Sequence, residues 1–442
     1  MVFERTLRGT TILLLSAVFI SLGVLGTSQS TIPFMYAGIG LFLFYYVSKL
    51  VLEVKISALN RLEVTREIPS RLSEGREFDV NLSLVNRTFM RLGAEVFDSY
   101  PPLCRLKSGT NAAVLAVPAK GYSRLSYSLA TNSVGAQAFG PLRLLVRDIA
   151  GLFFYERSVD AQSRMAVTPR GEEIAKGALT AIAVSTYAGT IISKTRGEGM
   201  EFADIRKYQP GDPYKKIEWS STARVGELMV REMNAETQLN VMLLLDTTQT
   251  MAYGEAGRTK LDYAARSVAS LVSYLSNRGD FVGLTLITGG EPGRVIPLGR
   301  GQVQTTRILS ALSELSISPA AAQGMSDAIK RALLLGRMKG RGLFFVITDL
   351  ESEVSLVSLK QLVAMKHEVI VISPYTPLFE AHGLEGLDRA LYSINVLHQQ
   401  PTRRRLVKEA AKLGIHVFDV GPDDFFPKLV ARVEDLRRMG GS

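Results

Sequence analysis

Leu239-Asn240-Val241-Met242-Leu243-Leu244-Leu245-Asp246, running on into Thr247-Thr248-Gln249-Thr250, decides the fold of the C-terminal half. The first eight residues are almost continuously apolar, as a strand buried on both faces requires. Helical spacing follows at Leu261, Ala264, Ala265, Val268, Leu271, Val272 and Leu275. Phe281–Ile287 and the LFFVITD run ending at Asp349 read as further buried strands, as do 368–373 and His416–Val420. Helical patterns near 305–315, 326–335, 355–365 and 425–438 separate or close them. This βαβα alternation predicts an α/β fold with a doubly wound, mainly parallel sheet. Ligands of such sheets bind beyond the carboxyl ends of the strands.

Two apolar stretches, nearly free of charge, stand at the other end of the chain. Residues 10–26 read TTILLLSAVFISLGVLG, and 32–52 read IPFMYAGIGLFLFYYVSKLVL with only Lys49 charged. Each is about long enough to cross a hydrocarbon core of ~30 Å, with the first near the lower limit. A second apolar run so close behind the first favours a two-helix transmembrane hairpin over a cleaved signal peptide. Arg5 and Arg8 precede the first span, and Lys49, Lys55 and Arg61 end or follow the second, while the connection TSQST has no charge. The positive-inside rule then predicts a cell-membrane protein with its N-terminus and large C-terminal portion cytoplasmic. On that side the glycosylation patterns at Asn81 and Asn86 stay unused.

Between hairpin and α/β region the apolar period is two. Phe78, Val80, Leu82 and Leu84 alternate with Asp79, Asn81 and Ser83, and Leu125, Tyr127 and Leu129 with Ser126 and Ser128. Turn residues such as Pro101-Pro102 and Gly140-Pro141 punctuate the runs, which predicts a small antiparallel sandwich. The organisation expected is therefore a hairpin over 1–56, a β-rich domain over 57–170, a partly helical connector and a further segment over 171–237, and the α/β domain over 238–442.

The 442 residues carry a formal charge of +10, which cytoplasmic Lys and Arg of a membrane protein explain without nucleic acid. A single cysteine, Cys104, excludes an intramolecular disulfide. Arg278-Gly279-Asp280 falls where a helix turns into a strand and reads as structural. Arg403-Arg404-Arg405 with Lys408 and Lys412 reads as a solvated helix face. The four histidines are scattered, and no phosphate-binding G-x-x-x-x-G-K-[ST] loop is present.

The residues that carry chemistry cluster at strand ends. Asp246 ends one strand, Thr248 and Thr250 come directly after it, Asp349 ends another, and Ser326 opens a helix from the loop between them. All offer hard oxygen, the donor type that suits Mg²⁺. The same threonines would equally serve as N-terminal caps of the next helix.

This pattern resembles the von Willebrand factor A fold and its metal-ion-dependent adhesion site. That resemblance implies Asp246, Thr248, Thr250, Ser326 and Asp349 as ligands of Mg²⁺ or another hard divalent cation, with threonine in place of both serines of the first motif and Ser326 in place of a threonine. Glu201-Phe202-Ala203-Asp204-Ile205-Arg206-Lys207-Tyr208-Gln209-Pro210-Gly211-Asp212, continuing through Ile217-Glu218-Trp219 to Ala223-Arg224, is similar to the signature of an uncharacterised prokaryotic membrane-anchored family with such a domain. Asp148–Phe153 and 279–284 resemble its other motifs. Members are commonly encoded beside MoxR-type AAA+ ATPases, so the resemblance implies a metal-dependent adaptor for such an ATPase, not an enzyme. Two alternatives are an extracellular adhesin and a phosphatase-like hydrolase using Asp246. The latter lacks the usual second carboxylate, because Thr248 stands in that position. Of Trp219, the only tryptophan, and the charges around it, the expectation is a segment that braces the α/β domain rather than a partner surface.

Overall fold

The computed structural model describes residues 4–26, 29–148, 150–170, 196–234, 238–319, 323–338, 340–350, 353–380, 386–422 and 425–439. The expected connector helix, at 171–194, lies outside the described residues. The chain divides into two compact units, residues 1–132 with 136–167 and residues 133–135 with 168–442.

The first unit begins with helices α1, Leu7–Leu25, and α2, Ile32–Asn60, both long and apolar enough to cross a membrane. They pack closely through small residues. A Cβ on Gly38 would meet the backbone nitrogen of Ile20 at 2.7 Å and the carbonyl of Ser16 at 2.9 Å. Such close backbone approach is how apolar helices associate where no hydrophobic effect separates them from lipid. Both open ends of the hairpin are fastened to the β-rich part. Thr6 donates its hydroxyl to the Gly151 carbonyl at 2.7 Å, and Lys55 reaches the Arg147 carbonyl at 3.0 Å. The last turns of α2 belong to the β-rich core: Leu52, Ile56 and Leu59 are fully buried.

Twelve strands make up the rest of this region: β1 Glu4–Arg5, β2 Leu62–Glu67, β3 Arg71–Ser73, β4 Glu77–Asn86, β5 Leu92–Asp98, β6 Cys104–Gly109, β7 Ala112–Val117, β8 Tyr122–Thr131, β9 Gly135–Phe139, β10 Leu142–Arg147, β11 Phe153–Val159 and β12 Ser163–Thr168. A four-stranded sheet, β2-β4-β8-β6, and a five-stranded one, β1-β11-β10-β5-β7, are both antiparallel, with β3-β12-β9 as a third. The alternation read from the sequence faces one shared core, to which Phe78, Val80, Leu82 and Leu84 contribute from one sheet and Leu142, Leu144 and Val146 from another. Cys104 is buried here, and burial pushes its thiol up to about 11. A thiol that stays protonated is a poor nucleophile. Maleimide is therefore expected to label the native, detergent-solubilised chain negligibly and to label it fully in urea; rapid native labelling would contradict this burial.

In the second unit β13, Arg196–Lys207, pairs antiparallel with β14, Met229–Asn234. Between them lies the short helix α3, Trp219–Val225. The main sheet has the order β17-β16-β15-β18-β19-β20, from strands β15 Asn240–Asp246, β16 Phe281–Ile287, β17 Val295–Gly299, β18 Leu343–Ile347, β19 Glu368–Pro374 and β20 His416–Val420. All neighbours pair parallel except β16 with β17. The sequence reading misses this antiparallel edge strand, because Pro297 inside it removes a ladder donor and argues against a strand. Helices α4 Lys260–Asn277, α5 Gly301–Ser313, α6 Gly324–Leu335, α7 Glu353–Ala364, α8 Thr376–Glu380, α9 Gly386–Lys412 and α10 Phe425–Met439 complete the unit.

Both faces of β15 are covered, as its apolar run demands. Val241, Leu243 and Leu245 enter a core with residues of α4, α5 and α10, while Met242 and Leu244 enter a second with residues of α6, α7 and α9. Asp280 is fully buried and accepts the Leu239 N–H at 3.0 Å, which makes the Arg-Gly-Asp tripeptide structural. Arg403 departs from the solvated face expected of it. Its guanidinium holds Asp419, with Nε 3.1 Å from the carboxylate, and donates to the Leu350 carbonyl at 2.9 Å.

Candidate functional site

Asp246 and Asp349 both stand at carboxyl ends of adjacent parallel strands, β15 and β18, and both are buried. Each is held by donors from this chain. One oxygen of Asp246 accepts the Thr248 amide at 2.8 Å and the Thr248 hydroxyl at 2.7 Å. Its other oxygen accepts the Thr348 hydroxyl at 2.6 Å. The Thr250 hydroxyl lies 3.3 Å from that of Thr248. The D-x-T-x-T turn thus folds back on its own carboxylate, as Asp and Thr side chains do locally.

Asp349 is paired with Lys260, a residue absent from the expected ligand set. The Lys260 ammonium donates to an Asp349 oxygen and, at 2.6 Å, to the Thr376 hydroxyl. It also lies over the Tyr253 ring, 5.6 Å from its centre. The Lys260 side chain is 1% exposed. A capping box explains how the lysine is placed. Thr259 caps α4 by accepting the Asp262 N–H at 3.1 Å, and Asp262 accepts the Thr259 N–H at 3.0 Å. Gly254 permits the tight approach to this cap, with a φ of +123° and only 2.6 Å between an added Cβ and the Arg258 carbonyl. Lys260 is then the first residue of the helix, where a positive charge opposes the macrodipole. That misplaced charge is the signal that sequence reasoning passes over. Burial raises the Asp262 carboxyl above its usual range, partly countered by its hydrogen bonds to Thr259 and Val134.

Ser326 does not join this group. It is the third residue of α6, half-buried, and among the described residues no hydrogen bond links it to Asp246, Thr248 or Asp349. The serine that reaches the end of β15 is Ser318. Its N–H donates to the Thr247 carbonyl at 2.9 Å, and its hydroxyl accepts the Gly289 N–H at 3.1 Å.

These residues do not fit a resident Mg²⁺ in this arrangement. An octahedral hard cation needs free oxygen lone pairs at about 2.0–2.1 Å. Both Asp246 oxygens already accept strong donors, and Asp349 faces an ammonium. Among the described residues no group of three or more His, Cys, Asp or Glu could hold a metal.

Beside the site lies a cleft of about 950 Å³ bordered by Tyr253, Arg258, Tyr263, Glu380 and Tyr392. The hydroxyls of Tyr253 and Tyr392 both donate to Glu380. The hydrogen bond to Glu380 is the main reason the Tyr253 hydroxyl sits above the usual phenol range.

The segment from Ile205 to Arg231 is a second candidate; the side chains of 201–204 lie outside the described residues. Arg206 grips Asp212 with two parallel hydrogen bonds of 2.6 and 2.7 Å, and the Gln209 N–H donates to the same carboxylate at 2.8 Å. The Arg206 bond, then the Gln209 amide, hold the Asp212 carboxyl down at about 2. Arg231 pairs with Glu218, and Lys207 with Glu227 at 2.5 Å. Ile217 and Val230 are buried, but Trp219 is 67% exposed and Tyr214 74%. Trp219 therefore does not brace a core; it is exposed, as are Val225 and Leu228 of the same segment.

Comparison with known proteins gives relatives without an assigned activity. The model of a family described as "Protein of unknown function DUF58" matches residues 204–380, which include both candidate regions almost entirely. An uncharacterized protein of Mycobacterium tuberculosis is 28% identical over 185 residues, covering 41% of this chain and 56% of the relative. The chain thus spans about half the length of that relative. Uncharacterized protein YeaD of Bacillus subtilis is 27% identical over 111 residues, 25% of each chain. A solved structure, the conserved hypothetical protein BatB from Bacteroides thetaiotaomicron, aligns with 46% of this chain and 99% of its own at 18% identity and a TM-score of 0.31.

Proposed function

We propose that this chain is a membrane-anchored protein-interaction module, with a von Willebrand A-like C-terminal unit and its large portion on the cytoplasmic side. The observation that carries the reading is the outward face of the 205–231 segment. Trp219, Tyr214, Val225 and Leu228 are each exposed in a segment that three ion pairs cross-link. Several large apolar side chains left exposed in one short segment favour an interaction surface, and Trp and Tyr are among the side chains that most often dominate binding. The acids of this frame are consumed by Arg206, Lys207 and Arg231, so among the described residues Lys215, Lys216 and Arg224 are left without an ion pair. That balance selects a protein partner with acidic side chains around an apolar contact. A MoxR-type AAA+ ATPase, suggested by the family resemblance, is the first partner to test.

Two apolar helices fastened at both open ends to one β-rich unit support the anchor. A doubly wound sheet with its polar cluster at the strand ends supports the von Willebrand A-like reading. Against hydrolysis, Asp246 is not presented as a nucleophile: three donors hold its oxygens. Turnover of a phosphate ester that vanished in Asp246→Ala would reverse that preference.

The test is co-purification of the ATPase with the full chain from native membranes. Trp219→Ala combined with Lys215→Glu and Lys216→Glu is expected to lower capture at least tenfold, about 1.4 kcal/mol, without loss of the chain from the membrane. Capture unchanged by these substitutions would refute the surface assigned here.

A further inference from the structure

We infer that the tip of the β4–β5 hairpin is a further membrane contact: Phe89 and Met90 enter the headgroup layer beside the two apolar helices, and Arg91 and Lys120 bind anionic lipid headgroups. The inference rests on the membrane anchor proposed above and is independent of any protein partner.

Strand register places the tip. Thr6, the residue before α1, donates to the Gly151 carbonyl at 2.7 Å, so the open end of the helix pair meets the β10–β11 turn. That end of the sheet reaches the apolar span itself, because Phe153 packs on Tyr45 of α2 with ring centres 4.8 Å apart. Strand β5 runs antiparallel to β10, with Asp98 opposite Leu142 and Glu95 opposite Leu145. Its first residue, Leu92, therefore lies at the end of the sheet that carries the β10–β11 turn. Val117, opposite Leu92, brings the end of β7 to the same place. The loops 87–91 and 118–121 thus leave the sheet beside the helix pair, one to two strand spacings of about 4.7–4.9 Å from β10.

The chemistry of the tip suits lipid. Phe89 is 82% exposed, and Met90 beside it is exposed as well. The loop that carries them is fixed. The buried Asn86 amide donates to the Met90 and Pro118 carbonyls at 2.8 and 3.0 Å and accepts the Thr88 N–H at 3.0 Å. The Lys120 N–H closes the loop on the Thr88 carbonyl at 2.9 Å. The Lys120 ammonium lies over the Phe89 ring, 4.1 Å from its centre. Arg87 is paired with Glu63, whereas among the described residues Arg91 and Lys120 have no carboxylate partner. A ring that enters the interface while long basic side chains reach back to phosphates is the side-chain arrangement of a membrane boundary. Each cation held near an anionic leaflet adds attraction. A protein could also cover an apolar tip, but the position beside the span favours lipid.

The experiment puts the only tryptophan at the tip, Phe89→Trp in a Trp219→Phe background. The full chain is reconstituted in phosphatidylcholine vesicles containing phosphatidylserine. Emission is expected to be blue-shifted from that of the urea-unfolded chain and shielded from acrylamide. Lipid brominated near the headgroups should quench it more than lipid brominated near the chain ends. Adding Arg91→Glu and Lys120→Glu should abolish quenching by brominated lipid, and quenching that survives both reversals overturns the role given to these cations. Phe44→Trp in the same background reports the anchor, since Phe44 is exposed on α2, and should be quenched by brominated lipid in every case. Quenching of Phe89→Trp by acrylamide alone, with the Phe44→Trp control quenched by lipid, overturns the inference and leaves the anchor standing. Shielding from acrylamide without quenching by lipid also overturns it, because a protein surface then covers the tip. An unquenched control refutes the anchor, and the inference falls with it. If Phe89→Trp does not fold, Met90→Trp serves the same comparison.

Discussion

Asp98→Ala is expected to destabilise the first unit by about 3–5 kcal/mol, the usual cost of leaving a buried charge without its partner. The side chains of Arg66 and Asp98 are both 0% exposed. Arg66 Nε lies 3.2 Å from Asp98, and the Tyr127 hydroxyl donates to the same carboxylate at 2.5 Å. The guanidinium also donates to the carbonyls of Ala161 and Gly140, at 2.5 and 3.0 Å, and covers the Phe139 ring. Five parts of the β-rich unit therefore converge on one ion pair. Burial, then the Asp98 carboxylate, holds the Tyr127 hydroxyl far above the ordinary phenol range, which favours its protonated, donating form. Removal of Asp98 strands the guanidinium in the core. Replacing the pair by apolar residues, as in Arg66→Met/Asp98→Leu, is expected to cost much less, because no charge is then left buried. Tyr127→Phe should cost about 1.5–3 kcal/mol, the range for a hydrogen bond to a charged group. Urea unfolding of the solubilised chain, resolved by amide exchange in β4 and β8, separates these cases. Equal losses for Asp98→Ala and the apolar double variant would mean that packing, not charge, holds this core.

Arg66 also shows where sequence reading reaches its limit. Its position on β2 follows local alternation, but its partner is 32 residues away on another sheet. Periodicity assigns faces; it does not say which buried charge meets which. The same division holds in the second unit. The buried strands β15 and β18 are legible because a strand covered on both faces must be apolar throughout, and burial is complete at Val241 to Leu245 and at Phe344 to Ile347. The turn Asp246-Thr247-Thr248 is legible because its hydrogen bonds are local. Lys260 is not, because its meaning depends on Asp349, 89 residues distant. Ser326 enters the ligand set by loop position and by resemblance to a second-loop threonine, whereas the chain brings Ser318 to the end of β15. Trp219 misleads for a related reason. A lone tryptophan reads as a core anchor, yet the apolar residues that close its segment are Ile217 and Val230, and the indole is left outside.

The second large effect tests whether the strand-end pair is as desolvated as its geometry requires. Asp349→Ala is expected to destabilise the second unit by about 3–5 kcal/mol, for the same reason as at Asp98. Among the described residues, Lys260 would keep only the Thr376 hydroxyl and the Tyr253 ring face, neither of which carries a full negative charge. Asp349→Asn retains an acceptor for the ammonium and should recover part of the loss, leaving the cost of the missing charge alone. Lys260→Met/Asp349→Leu removes both charges and is expected to lie near the native stability, provided the added carbon fits between β18 and α4. Asp246→Ala provides the contrast within one site. It removes no ion pair but orphans two hydroxyls and an amide that now meet its carboxylate. Each orphaned buried group costs about 1–3 kcal/mol, less where a hydroxyl can turn to another acceptor. Amide exchange in β15 and β18 of the full chain gives the local stability directly. A loss below about 1 kcal/mol for Asp349→Ala would place the pair in the range of exposed ion pairs. In that case Lys260 would be reached by water, and the charge it supplies would be too weakly felt to exclude a metal.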